Sequence, residues 1–308
     1  MAELRGRVAA VAVSNLRRDG ELAGALSLLA AEGIEVVLLK GAALRARRPE
    51  LAGRFQCDLD VLLRRRDLER AEALLLAQGF RLDETFRDRA GLLRDHFHLG
   101  YERRGAMVEL HWDVDPASPP GFAERLWERS VPATLDGRPC RLLAPEHQLL
   151  FGCLHLSRHA FHGGLRWLAD LALLLSDLQT PRDLARFEAA AREWPRRAVR
   201  LPLWFLGEAG VAGAREPGQD GGAGPLERAL LRRLLPHVLV AEPWLGIPDW
   251  RLAGALHAWL FSGRSLAGLL ARAAGRGIRA RLRAGAAYEA RMASALSPAP
   301  SGVEERRR

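Results

Sequence analysis

Apolar positions recur at helical spacing through residues 3–31, Leu22, Leu26, Leu29 and Ala30 among them, and Gly33 stands where such a helix would end. The run IEVVLL that follows is β-branched and aliphatic and reads as a strand. It closes at Lys40-Gly41, after which AALRAR resumes the helical period until Pro49. CDLDVLL at 57–63 alternates as a strand does, and DLERAEALLLAQGF reads as an amphipathic helix with Asp67 at its start and Gly79 at its C-cap. The predicted order is helix, strand, helix, strand, helix.

HFHLGYERRGAMVELHW reads as a hairpin centred on Arg104-Gly105. In that register Phe97, Leu99 and Tyr101 share an apolar face with Val108, Leu110 and Trp112. His96, His98 and Gly100 share the other face with Glu109, His111 and Asp113. Arg-Gly is not a favoured two-residue turn, so a four-residue loop with the same face pairing is equally compatible. From Pro145 the period turns helical, through EHQLLFGCLHLSRHAF, LRWLADLALLLSDL, PRDLARFEAAARE and LPLWFLGEAG. Residues 211–225 read as a Gly-rich loop, and the stretch after Ser262 as a basic helix followed by a disordered tail. These patterns divide the chain into a sheet-bearing domain at 1–140, a helical domain at 141–262 and a basic C-terminal segment at 263–308.

The chain has 308 residues, 48% of them apolar, which is enough for a substantial core. A net charge of +9 suggests an anionic partner, but the excess is Arg dispersed along the chain beside much Ala and Gly, so it adds little. Cys57, Cys140 and Cys153 are widely spaced and lack a CxxC pair, which indicates neither a disulfide framework nor a zinc knuckle. A reducing cytoplasm is expected, with no export and no membrane partner, because no apolar stretch approaches the length of a membrane-spanning helix.

Strand geometry puts Asp58 and Asp60 on one face of CDLDVLL, with Leu59, Val61 and Leu63 on the other. Neighbouring carboxylates repel unless a cation lies between them, and hard oxygen ligands suit Mg²⁺ or Mn²⁺. Glu109 becomes the third carboxylate if the hairpin pairs beside the Asp strand. The set then forms a site for nucleotidyl transfer, with Asp58, Asp60 and Glu109 both catalytic and metal-binding. Lys40 is the only lysine among 46 basic residues. At a strand-to-helix turn, its compact ammonium and the N–H groups around Gly41 are suited to hold phosphate.

LLKGAAL, RFQCDLDVLL, LLLAQGF, VELHWDV and LRWLADLALLL, in that order across residues 20–180, resemble the uncharacterised nucleotidyltransferase family within the DNA polymerase beta superfamily. The resemblance implies an α+β fold, a nucleotidyltransferase-like mixed sheet flanked by helices and followed by an all-helical second domain. It also implies Mg²⁺ and a nucleoside triphosphate (NTP), such as ATP, as donor of a nucleoside monophosphate. The superfamily's Asp-hydrophobic-Asp matches Asp58 and Asp60, and its later acidic strand residue matches Glu109. The chain departs at the first turn, where Lys40-Gly41-Ala42-Ala43 stands in place of the superfamily's Gly-Ser. The resemblance further makes Arg54 a candidate phosphate ligand or carboxylate partner, and has Arg166 contact the nucleotide with Asp170 holding it. Bare spacing reads these instead as a solvated turn Arg and an i, i+4 surface pair.

Other readings compete for the same residues. His96, His98, His111 and Asp113 could form a transition-metal site of a hydrolase, or a polar wall in which His111 contacts substrate. His155 and His159 lie one helical turn apart without the Glu of an HExxH motif, so core or interhelix contacts are expected, and Trp167 reads as core. A nucleotide- or RNA-binding protein that keeps the fold without turnover is the alternative to an enzyme. The acceptor, whether small molecule, protein or RNA, is not written in these motifs.

Overall fold

A computed structural model describes residues 2–51, 58–86, 88–159, 161 and 164–211, with short stretches at 223–225, 227–229, 231–232 and 259–261. The chain opens with α1 (Ala2–Ala31), β1 (Val37–Leu38) and α2 (Lys40–Arg47), and continues with β2 (Asp58–Leu62), α3 (Leu68–Ala77) and β3 (Arg81–Leu82). Then come α4 (Arg89–Asp95), β4 (His98–Arg103), β5 (Ala106–His111), α5 (Phe122–Arg129), β6 (Val131–Leu135) and β7 (Arg138–Leu142). Four helices follow: α6 (Pro145–Arg158), α7 (Gly164–Ser176), α8 (Pro181–Ala191) and α9 (Arg196–Glu208).

The strands form one mixed seven-stranded sheet in the order β3-β4-β5-β2-β1-β7-β6. β2 runs parallel to β5 and antiparallel to β1, and β1 runs parallel to β7. The sheet is buried on both sides. Leu59, Val61, Val108, Leu110, Leu99 and Tyr101 point to the side covered by Leu22, Leu26 and Leu29 of α1 and by Leu68, Ala71 and Leu75 of α3. The other face sends Val37 and Leu62, with Leu39 and Leu44 from the start of α2, into a cluster built by the later helices, among them Leu149, Leu150 and Cys153 of α6 and Leu201 of α9. The helices from Pro145 onward therefore share their core with the face that bears Asp58 and Asp60. A divider of apolar sheet residues beneath a helical layer places that face in a low-dielectric setting.

The hairpin has the predicted two-residue turn. Tyr101 pairs with Val108, Gly100 with Glu109 and His98 with His111. Arg104 and Gly105 both adopt left-handed backbone, at φ 50° and 78°, the pattern of a type I′ turn. Arg is tolerated there although Asn-Gly would suit the geometry better, which is why the sequence left the loop length open. Elsewhere the structure departs from the pattern. β1 holds only Val37–Leu38 of the six residues 34–39, and Asp67 occupies the N-cap position of α3 without a side-chain cap bond. Strands β3, β6 and β7 and helices α4 and α5 were not expected. Arg54, Cys57, most of the Gly-rich 211–225 segment and the C-terminal 263–308 segment lie outside the described residues.

The turn gives a direct test. Arg104→Asn should raise unfolding stability by about 0.5–1 kcal/mol, because Asn enters the left-handed region at lower cost than Arg. The exposed Arg104–Glu21 pair at 3.2 Å that it removes contributes little, and Glu21 keeps Arg103. Gly105→Ala should cost about 1 kcal/mol. Urea denaturation checks both, and a neutral Gly105→Ala would contradict the turn.

Candidate active site

Parallel pairing of β2 with β5 sets Asp60 directly beside Glu109, and the antiparallel β4 adds His98 opposite His111. Because side chains alternate across a strand, Asp58, Asp60, Glu109, His98 and His111 all project to the helix-covered face. A close-packed wall flanks them: a Cβ on Gly100 would lie 2.8 Å from Cε2 of Phe86, whose ring meets His98 edge-on.

Asp60, Glu109 and His111 are buried, with 1%, 8% and 1% of their surfaces exposed. His111 Nε2–H donates to Asp60 Oδ1 and to Glu109 Oε2, each at 3.2 Å. The His98 ring stacks on His111 at 4.6 Å between centroids and presents Nε2 3.7 Å from Glu109 Oε2. Lys40 completes the group. Its Nζ lies 2.5 Å from Asp60 Oδ1 and 3.2 Å from Glu109 Oε2. The backbone delivers it there: Leu39 N–H donates to Asp60 O at 3.0 Å, which pins the end of β1 to β2, and Leu39 O accepts from Ala43 N at 3.2 Å as α2 begins. Lys40 itself has φ 46°, a left-handed conformation that is strained for a residue with a side chain.

The electrostatics follow from burial and crowding. Burial pushes the Asp60 carboxyl up to about 7, against the opposing pull of Lys40 and with help from Asp58 and Glu109. For Glu109 burial also works upward, but Lys40, His98 and His111 outweigh it and hold the carboxyl well below its usual range. Burial would lower His111, yet its hydrogen bonds to the two carboxylates raise it overall. Burial drives His98 far down, so that ring is neutral, with one N–H to donate and one bare nitrogen to accept. The set is one of groups with divergent proton affinities around two carboxylates, as acid–base and metal sites require.

Several expected residues fall into place and others do not. One ligand atom from each of Asp60, Glu109 and His111 lies within 4.8 Å of the others, a group that could hold a metal ion. Asp58 sits half-buried at the head of β2 and is not part of that three-atom group. Gly41 lies half-buried in the first turn of α2, whose N-cap Leu39 offers no side-chain cap. Arg166 and Asp170 lie half-buried on α7. Between them in sequence, Trp167 packs on His155 and His159, at 4.3 and 5.0 Å between ring centroids, the interhelix contact expected of those histidines. Burial drives His155 well below its ordinary value, and the charge of Lys40 adds to the drop. Asp113 is raised by burial and is drawn aside, accepting from Val114 N–H at 2.7 Å. The salt bridge from Arg158 Nε to buried Asp115 Oδ2, 2.6 Å long, fastens the segment after β5 to α6 and was invisible to motif reading.

A consequence can be read from stability against pH. His111 binds its proton more tightly folded than its ordinary 6.5, so the stability it contributes is complete below pH 6.5 and is lost as pH rises through the raised value. Asp60, raised from 3.8 to about 7, acts in the same direction, because ionising it across that window costs the folded state. Glu109, held low, does the opposite and loses its contribution only on acidification below 4.5. In chelator-treated protein, the stability advantage of wild type over His111→Gln should therefore be larger at pH 6 than at pH 9. Urea titrations at both pH values check it, and an advantage unchanged between them would contradict a cationic His111.

No curated protein matches the chain. Among solved structures it is similar to the antibiotic-resistance factor ANT(2'')-Ia, whose solution structure was described in terms of substrate-regulated conformational dynamics. The identity is 15% and the TM-score 0.42, over 56% of this chain and 90% of that one. The sequence also matches the family described as uncharacterised nucleotidyltransferase over residues 1–207, two thirds of its length, and the chain belongs to that family.

Proposed function

We propose that the chain moves a nucleoside monophosphate from an NTP to an acceptor nucleophile, with a divalent cation, Mg²⁺ or Mn²⁺, held at the carboxylate face. The observation that carries this reading is Asp60 buried in register beside Glu109 on adjacent parallel strands, within reach of His111 and of the turn that opens α2. Two carboxylates and an imidazole offer a hard, anionic ligand set, and the imidazole is better tolerated by Mn²⁺ than by Mg²⁺. A cation bound there would supply charge stabilisation to phosphoryl oxygens and acidify an acceptor hydroxyl.

The chain's own residues do the rest. Asp60 and Glu109 provide inner oxygens, and half-exposed Asp58, two residues back on the same face, lies towards the side from which phosphate would enter. The first-turn N–H groups at Gly41 and Ala42 have no intrahelical acceptor and are suited to phosphate oxygens. Neutral His98 lines the carboxylates beside His111, whose Nε2 proton, held between Asp60 and Glu109, would be given up when that nitrogen ligates the cation. Arg166, held in place by Asp170, is proposed to contact the nucleotide, and Arg54 its phosphates or the carboxylates, on the strength of the family motifs.

Asp60→Asn and Glu109→Gln should each lower kcat/KM by at least about a hundredfold while circular dichroism shows an intact fold, because each removes an oxygen ligand at constant volume. Asp58→Asn should also lose activity, with a smaller effect on stability because its carboxylate is less buried. The assay incubates labelled NTPs and Mg²⁺ or Mn²⁺ with cell extract and follows label into any acceptor. Wild-type transfer by Asp60→Asn would overturn the assignment.

A further inference from the structure

We propose that Lys40 is a built-in counter-ion which competes with the divalent cation for the same two carboxylate oxygens, and which turns to the triphosphate when the metal loads. The inference rests on the metal site argued above. It concerns what the lysine does before substrate arrives.

Nζ contacts Asp60 Oδ1 and Glu109 Oε2, and His111 Nε2 contacts these same two oxygens at 3.2 Å each. They are the oxygens that face one another, and so the ones a bridging cation would use. A divalent ion sits roughly 2.1 Å from a carboxylate oxygen, inside the space that the ammonium fills at 2.5 Å. Two cations within about 3–4 Å in a buried setting repel strongly, so metal and ammonium exclude one another.

The geometry also says which part moves. The turn is fixed by the Leu39 N–H bond to Asp60 O and by the Ala43 N–H bond to Leu39 O, so the backbone stays and the four-carbon stem swings. Lys40 is the first residue of α2, where the unpaired N–H groups of the first turn already favour an anion. A stem rooted there can reach a phosphate held by those groups. The choice of lysine among 46 basic residues fits the same role. A guanidinium would clamp the two oxygens through a rigid planar fork, whereas an ammonium is a point charge that can be exchanged. The strained backbone of Lys40, at φ 46°, is the local cost of aiming the stem at the carboxylates. Because the metal releases the ammonium from Asp60 and Glu109 and a bound triphosphate offers it a new anion, metal and nucleotide binding become mutually dependent, and by linkage each strengthens the other.

The test is a Mn²⁺ titration followed by electron paramagnetic resonance of the free ion, with no nucleotide, on wild type, Lys40→Met, Lys40→Arg and Asp60→Asn. Lys40→Met should bind Mn²⁺ at least about tenfold more tightly than wild type. Its melting temperature should start lower in chelator and rise further on adding Mn²⁺. Lys40→Arg should bind Mn²⁺ no more tightly than wild type. Calorimetry with α,β-methylene-ATP should then show that Mn²⁺ strengthens nucleotide binding by a larger factor in wild type than in Lys40→Met. If Asp60→Asn loses Mn²⁺ binding but Lys40→Met binds it no better than wild type, the competition is wrong and the metal site stands. If Asp60→Asn binds Mn²⁺ as wild type does, or no protein binds it, the metal site fails and the counter-ion role with it. Equal strengthening by Mn²⁺ in wild type and Lys40→Met overturns the handover to triphosphate.

Discussion

Two carboxylates sit side by side beneath a helical layer, and their mutual repulsion is the constraint around which this protein is arranged. Asp60 and Glu109 come together because β2 and β5 run parallel in register, an arrangement that no local sequence signal requires. Removing them from water would be costly without compensating charge. The chain answers with donors from two directions, Lys40 from the end of β1 and His111 from β5 itself, and His98 from β4 stacks its ring on His111. Each donor depends on strand order. β1 lies next to β2, so Lys40 arrives from one side, while the hairpin brings the imidazoles from the other.

The helical layer makes this arrangement consequential. Leu62 and Val37 on the carboxylate face continue into the apolar cluster of α6 and α9, so water is excluded from the inner end of the site. In that setting an ammonium held at 2.5 Å counts for far more than a surface pair would. The buried Asp115–Arg158 bridge ties α6 to the end of β5, one turn away from His155, and so fixes the distance between the sheet and the helical wall. Arg48 does the same at the other end of α2, reaching Asp177 at 2.6 Å just beyond α7. The family's strand motif and its later LRWLADLALLL helix are thus joined by side chains that belong to neither.

The parts of this arrangement that were legible in the sequence are the ones governed by period. Alternation put Asp58 and Asp60 on one face of CDLDVLL, and His98, Glu109 and His111 on one face of the hairpin; the parallel pairing of β2 with β5 brings the two sets together. The parts that were not legible depend on contacts between distant elements. Lys40 was read as a phosphate ligand because the sequence shows only its turn; that it lies against Asp60 depends on β1 pairing with β2, twenty residues away. Strands β6 and β7 escaped notice for a different reason. β6 is an edge strand whose residues are largely exposed and include Pro132, so it lacks the apolar alternation of a half-buried strand. The i, i+4 histidines of α6 were separable from a zinc pair only by the missing Glu, and the structure gives them Trp167 for a neighbour.

A lone lysine in an arginine-rich chain invites two explanations, mutational chance or chemical need, and the geometry favours need. Arg serves at Arg45, Arg47 and Arg48, in the same helix or just beyond it, where part-buried carboxylates and the main-chain carbonyl of Leu143 accept from a guanidinium. At position 40 the acceptors are two buried oxygens from different strands, with His111 already between them. An extra planar group there would have to displace an imidazole, while a tetrahedral ammonium fits the remaining gap. The strained backbone at this residue supports the same conclusion. Glycine would remove the strain but leave the carboxylates without their cation, so the fold retains a conformation it would otherwise shed.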